Sequence, residues 1–508
     1  MAKQSLYQRI AAFAGSRKFF WVVVTLFVLE AAWIALSGRY PMAFDEDFHL
    51  GIIRLYAHHV GPFWSSQPPG GNAFGAVARD PSYLYHWLMS FPYRMVSMFT
   101  HDQTIQVLWL RAINIGFFAA GLAVYRQLLL KTGASRAIVH VCLLIFVLVP
   151  VVPLLAAQIN YDNLLFPAFG LTLLLTARFD ERLARQKRID APLLLAVLLA
   201  CLLTSLVKYA FLPAFAAIVI YLGIRLRSYL ISPRTLWREF SKSMRRFGAF
   251  SSVLLVAAVL VASGLFIERY GINMVRYHTP IPDCSKVLSV KACSQYGPWI
   301  RDYNSSLNSV DEEHNPAVFA ADWFYGMWLR SFFAVDGPAT DFQTRGPFIV
   351  PGISAIVFAG VSVVLAAAYG RCILRRFNAP VLRLLAAVVA LYIVALWLDG
   401  YRAYVHAGRP VAINGRYLIP IFLPVFLIGA LAVGEFCKRY PQNLKLFIGG
   451  IALLTMLWGG GVLTYILRSN DAWYWHNQAV YDANHAVQHI IGPITPGYSS
   501  PTEFMGHN

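Results

Sequence analysis

Charged side chains are scarce in this chain. They make up 13% of its 508 residues, about half the share of an average soluble domain, which excludes an ordinary soluble enzyme. Acids are rarer still, 25 against 43 Lys and Arg. There is no glycine-rich phosphate loop, no zinc-type Cys or His spacing, no nucleophile elbow and no internal repeat. These absences remove P-loop nucleotide chemistry, structural zinc modules, elbow-type hydrolases and repeat architectures. The missing repeat also weighs against a transporter built from two similar halves.

What is present is apolar. Hydrophobic residues make up 58% of the chain and aromatics 15%, and mean hydropathy is +0.54. Several runs reach the roughly 20 residues that carry a helix across a bilayer. The fold class is therefore all-α, a polytopic transmembrane bundle of about eleven spans. They are placed near 19–37, 107–125, 137–157, 162–178, 191–207, 209–224, 247–267, 348–369, 381–398, 416–434 and 446–466. The net charge of +18 sits mostly in short loops between these runs. That is the positive-inside bias of membrane topology, so nucleic acid is not an expected partner. The bias predicts a cytoplasmic N-terminus in an inner or plasma membrane, with a transmembrane unit over 1–466. Long outside loops follow at 38–106 and 268–346, and the tail 467–508 lies outside. No small-residue cleavage site follows the first run, which reads as a retained anchor.

The first long loop contains two amphipathic stretches. Phe48, Ile52, Leu55 and Tyr56 repeat at helical spacing in 45–59, and Leu84, Trp87, Leu88, Phe91 and Met95 do so in 83–99. Both are predicted to lie in the membrane interface. The second loop ends in an aromatic run, Ala321 to Phe333, read as another interfacial helix. Four of six cysteines lie in or beside apolar runs. Cys284 and Cys293 stand nine apart in a polar loop and either form a disulfide in an oxidising compartment or remain two thiols.

Three consecutive acids, Asp45-Glu46-Asp47, follow the first span. Acids in a first helical turn can simply cap it. A carboxylate at a low-dielectric surface can also act as a general base. His49, one turn after Asp45, can orient that base or share a divalent cation with Asp47. In Arg79-Asp80-Pro81, Pro81 suits a first helical position and Asp80 a cap, while Arg79 can pair with a phosphate. Asp162 is a cap or part of a polar cluster facing Asp45. Lys208, at the end of an apolar run, either snorkels to the interface or binds a lipid phosphate. Arg402 and Arg416 are anchors or phosphate contacts.

Taken together, these segments resemble the GT-C superfamily of polyprenyl-phosphate-sugar-dependent membrane glycosyltransferases, which includes protein mannosyltransferases and aminoarabinose transferases. The likeness is to a bacterial branch of membrane proteins in that superfamily. The landmarks are Asp45-Glu46-Asp47-Phe48-His49, Asn160-Tyr161-Asp162, Leu206-Val-Lys-Tyr209, Trp328-Leu-Arg-Ser-Phe-Phe333 and Asn414-Gly-Arg-Tyr-Leu-Ile-Pro420. No large C-terminal soluble domain of the oligosaccharyltransferase type is expected from this sequence. The family's usual acidic pair stands here within a triplet. The resemblance implies that a sugar moves from a lipid phosphate to an envelope glycan, lipid or protein on the non-cytoplasmic face, usually with inversion. Asp45 would be the base, with Asp47 or Glu46 orienting acceptor or sugar. Arg79, Lys208, Arg402 and Arg416 would meet the phosphate, and Trp323 and Trp328 would pack on lipid or sugar or anchor the interface. The competing readings are a transporter or flippase of lipid-linked glycans and a surface-polysaccharide polymerase or ligase.

Overall fold

The computed structural model describes residues 5–230, 233–307, 315–331, 349–408, 413–495 and 498. Among the described residues no strand forms, and a single antiparallel bridge joins Gly38 to Tyr474. Residues 332–333 of the aromatic run, 308–314 and 332–346 of the second long loop, position 348 of the expected 348–369 span, Arg409 to Ala412 and most of the last dozen residues lie outside this set.

The chain begins with α1 (Leu6–Ala14) and α2 (Arg17–Ser37). The two amphipathic stretches of the first loop become α3 (Glu46–Ala57) and α4 (Leu84–Ser97). Arg94 ties them by donating from Nη2 to the carbonyls of Tyr56 (2.6 Å) and His59 (2.7 Å). Leu88, Phe91 and Met95 of α4 form an exposed apolar stripe.

The core is built on α5 (Gln103–Leu130), α6 (Arg136–Val147), α7 (Val151–Ala156) and α8 (Asp162–Gln186). Phe166 of α8 stacks on Phe118 at 4.3 Å and on Tyr125 at 4.6 Å. Glycine makes this approach possible, because a Cβ on Gly121 would stand 2.3 Å from the Phe166 ring.

Next come α9 (Ala191–Val207), α10 (Leu212–Leu230), α11 (Pro233–Phe247), α12 (Ala249–Phe266) and α13 (Ile272–Tyr277). Lys208 is extended and breaks the apolar stretch 191–224 into α9 and α10. The second loop then forms α14 (Cys284–Val287), α15 (Val290–Cys293), α16 (Gly297–Leu307) and α17 (Pro316–Ser331). Cys284 and Cys293 are joined as a disulfide, with Cα atoms 5.8 Å apart. The last third holds α18 (Ile349–Arg376), α19 (Ala379–Ala407), α20 (Ile419–Cys437), α21 (Gln442–Gly459), α22 (Gly461–Arg468) and α23 (Gln478–Ile491).

Among the described residues eight helices are long and apolar enough to cross a membrane: Arg17–Ser37, Gln103–Leu130, Tyr209–Arg227, Ala249–Tyr277, Val357–Arg376, Ala379–Ala407, Gly415–Cys437 and Gln442–Arg468. Three of the expected spans are not among them. The 137–157 run is split between α6 and α7 at Leu148-Val149-Pro150, where proline removes a backbone donor. The run at 191–207 makes a helix of 17 residues. The run at 162–178 continues into the charged end of α8, Arg178 to Arg185.

The last span is broken too, where Gly461 adopts φ +57°. Its amide reaches Leu148 O at 2.7 Å, and a Cβ there would meet Glu30 Oε1 at 2.2 Å. Buried Glu30 on α2 thus lies against the N-terminus of α22, where it accepts the Val462 amide exposed by the break. The segment after α22 returns to the end of α2, with Trp33 Nε1 donating to Asn484 at 3.0 Å and Trp475 N to Ser37 O at 3.0 Å.

Candidate active site

The turn from α2 into α3 sets the geometry. Phe44 and Asp45 both take the left-handed conformation, at φ 63° and 65°. A side-chain-bearing residue there costs roughly 1–3 kcal/mol, so the surroundings must hold the turn. Asn160 donates from Nδ2 to Phe44 O (2.9 Å) and accepts the Asp162 amide (2.9 Å). One side chain therefore fixes the Asp45 turn against the start of α8.

The main clamp is Glu46. Its Oε1 accepts from Arg111 Nε (2.8 Å) and Ile159 N (3.1 Å), and its Oε2 from Arg111 Nη2 (2.7 Å) and Met42 N (2.8 Å). Arg111 Nη1 also donates to Ala35 O (2.8 Å) and Gly38 O (2.6 Å), capping α2. Both side chains are fully buried. The expectation that Glu46 orients an acceptor or sugar gives way to a structural role, because donors from the protein occupy both carboxylate oxygens.

Asp45 behaves differently. It precedes the first turn of α3 but makes no side-chain cap. Its Oδ2 accepts from Arg416 Nη2 at 2.7 Å while its side chain stays 54% exposed. Arg416 itself is buried beneath the rings of Phe44 and Tyr417, each 5.1 Å away. Its Nε and Nη1 have no hydrogen-bond partner among the described residues. Asp47 is exposed on the first turn of α3.

A second ion pair adjoins the first. Lys208 Nζ donates to Asp162 Oδ1 at 2.7 Å, with both side chains buried. The ammonium lies 4.3 Å from the Tyr161 ring centre and 4.8 Å from that of Tyr417, so Tyr417 is shared by both cations. Asp162 Oδ2 is buried without a partner among the described residues. Lys208 therefore does not snorkel to a surface. Two of the sequence landmarks also meet beneath Arg416: Arg330 Nη1 donates to Ile413 O at 2.5 Å. A Cβ on Gly415 would lie 2.0 Å from Ser331 Oγ, so only glycine allows this approach.

His49 stacks on His86, with Nδ1 and Nε2 2.9 Å apart. His86 Nδ1 faces Ser82 O at 3.2 Å. A carbonyl only accepts, so His86 carries its proton on Nδ1 and accepts at Nε2 from His49 Nδ1–H. Burial holds His86 down to about 3. His49 lies well below its ordinary value through burial, then through the neighbouring charges of His86, Arg416 and Lys208. Folded-state values below the unfolded one make the neutral pair stabilising above about pH 6.5 and progressively costly as pH falls towards 3. Each fully titrating imidazole then contributes roughly 1.4 kcal/mol per pH unit. Burial raises Asp80 and acts in the opposite sense. Thermal unfolding between pH 7.5 and 4.5 should show a falling midpoint, and His86→Gln should flatten the slope. An unchanged slope in the variant would contradict the assignment.

Other expected contacts go elsewhere. Arg79 is committed to Glu268 Oε1 (3.0 Å), Glu268 O (2.8 Å) and Asn273 Oδ1 (2.9 Å), which corrects its reading as a phosphate ligand. Asp80 accepts the Ser82 amide at 2.8 Å in a local turn. The helix starts three residues after Pro81, at Leu84, so neither residue holds the expected capping position. Arg402 is exposed on α19, without an ion pair among the described residues. Trp323 is buried against Phe319, Met327 and Ile413 rather than anchored in the interface. Trp328 is half-buried. Among the described residues no three His, Cys, Asp or Glu side chains gather as a metal site would need. His49 is buried while Asp47 is exposed, so the two do not form a cation site together.

Several site residues were not assigned from sequence. Arg111 carried a usable signal, an ionisable residue within an apolar helix. Tyr417, His86 and Tyr296 carried none. Tyr296, just beyond the disulfide, packs on Phe48 at 5.8 Å. Burial raises its phenol, with further upward contributions from the charges of Asp45 and Asp80. The disulfide loop therefore borders the site. No family model matches the chain, and no curated protein matches it either.

Proposed function

We propose that the protein is a membrane glycosyltransferase of the GT-C kind, moving a sugar from a polyprenyl phosphate to an envelope glycan, lipid or protein. The observation that supports this best is the pairing of half-exposed Asp45 with a buried Arg416 that has two donors unused among the described residues. A sugar carried on a phosphate needs little acid help to leave. It needs a base for the acceptor and a cation for the departing phosphate. In this reading Asp45 Oδ1 takes the acceptor hydroxyl proton, the acceptor oxygen bonds to the anomeric carbon, and the carbon–phosphate oxygen bond breaks on the opposite face with inversion. Arg416 Nε and Nη1 receive the phosphate, in the planar geometry that suits guanidinium. Lys208 adds positive charge from behind Tyr417 while it orders Asp162.

The proposed topology keeps about eleven spans, α6–α7, α8 and α9 included, in an inner or plasma membrane. The N-terminus is cytoplasmic, and the site and C-terminal segment lie on the other side. The loop charge bias supports this. So does the packing of the disulfide loop beside Phe48, since disulfides persist in oxidising compartments.

The test is purified protein in nanodiscs, supplied with radiolabelled polyprenyl-phosphate sugars and an envelope lipid fraction. Acceptor-dependent release of polyprenyl phosphate is expected. An intact donor across a sugar panel would count against the reading. Movement of intact donor across proteoliposomes would favour a flippase, and long product chains a polymerase.

A further inference from the structure

The basic helix α11 takes no part in the site. It joins α10 to α12, both within candidate spans, so connectivity puts it at a membrane surface. Its sequence, PRTLWREFSKSMRRF, has five basic side chains against one acid, Glu239. At 100° per residue Arg234, Arg238 and Arg245 fall on one stripe, with Lys242 on one flank and Trp237 on the other. All five are exposed, Trp237 by 71%, and none of the four cations is in an ion pair among the described residues. The opposite face is occupied: Ser243 Oγ accepts the Ala191 amide at 3.0 Å, tying α11 to the start of α9. Trp237 stacks on Phe240 along the apolar edge, and Phe250, just into α12, is 76% exposed.

We propose that the exposed face of α11 is a binding surface for anionic phospholipid head groups. A helix held in the interface plane with unpaired cations on one side and aromatics at its edge has the arrangement that binds acidic lipid surfaces. Charge complementarity selects this occupant, since the cations have no acidic partner among the described residues. The inference rests on the membrane location of the flanking helices and is independent of the catalytic reading.

The experiment uses the full chain in nanodiscs of equal parts phosphatidylcholine and phosphatidylglycerol, counting phospholipids retained after transfer to mild detergent. Wild type should retain phosphatidylglycerol preferentially. The variant R234Q/R238Q/K242Q/R245Q should lose that preference by roughly fivefold or more. R234K/R238K/R245K should keep it, because charge rather than fork geometry is being read. Should the glutamine variant not fold, wild type at rising salt supplies the same readout, with preference falling as the screening length shortens. The proposal is overturned if wild type shows no preference, if salt leaves the preference unchanged, or if the glutamine variant retains it in full.

Discussion

Asp45→Asn is expected to reduce sugar transfer by about 10²–10⁴-fold, the range that a positioned general base contributes, while leaving the fold in place. Asparagine tolerates the left-handed backbone at this position at least as well as aspartate. Its amide oxygen can still accept from Arg416 Nη2, so the guanidinium keeps a partner. The lost charge belongs to a pair whose acid is 54% exposed and reached by solvent, although its arginine is buried, so the cost should fall well below that of the fully buried Glu46–Arg111 pair. Loss of activity should therefore come with a melting temperature lowered far less than in Glu46→Gln and with unchanged membrane insertion. Donor retention in a filter assay should persist, since Arg416 is intact. Full activity in the asparagine variant would remove Asp45 from the chemistry and would leave the buried Arg416 donors without an explanation.

Reading the chain alone singled out Asp45, Asp162, Lys208 and Arg416, and the fold brings all four together through Asn160, Tyr161 and Tyr417. These residues were legible because charge is scarce in an apolar chain and each stands at the edge of an apolar run. The division of labour within the triplet was not legible. Asp45, Glu46 and Asp47 are neighbours with the same chemistry, and only the helix start at Glu46 turns the middle carboxylate towards Arg111, 65 residues away. The assignment of Arg79 failed for a related reason. An arginine beside a loop acid looks available for phosphate, and its partners Glu268 and Asn273 come from the distant end of another span. The span count suffered from local backbone chemistry, since hydropathy alone does not register the break before α7 or the polar end of α8.

Glu46 is the residue whose loss should cost most in stability. Glu46→Gln is expected to destabilise by about 3–5 kcal/mol, the usual penalty for removing one partner of a buried pair. Four donors converge on this carboxylate, two from Arg111 and two from backbone amides. A glutamine amide would set its own N–H groups against some of them and leave the guanidinium charge uncompensated at full burial. The damage should spread, because Arg111 also holds the last carbonyls of α2 and because the strained turn at Phe44-Asp45 relies on this anchor. A double-mutant cycle with Arg111→Gln separates the pair from its surroundings. The two single losses should be strongly non-additive, with the double variant little worse than the worse single one. The measurement is denaturant or thermal unfolding in a bilayer mimetic, alongside transfer activity normalised to folded protein. The contrast with Asp45 is then direct: one carboxylate governs mainly turnover, and its neighbour governs stability, with turnover per folded molecule falling only as far as the turn loosens. An unchanged midpoint in Glu46→Gln would show that the Asp45 turn is held by something other than the Arg111 clamp.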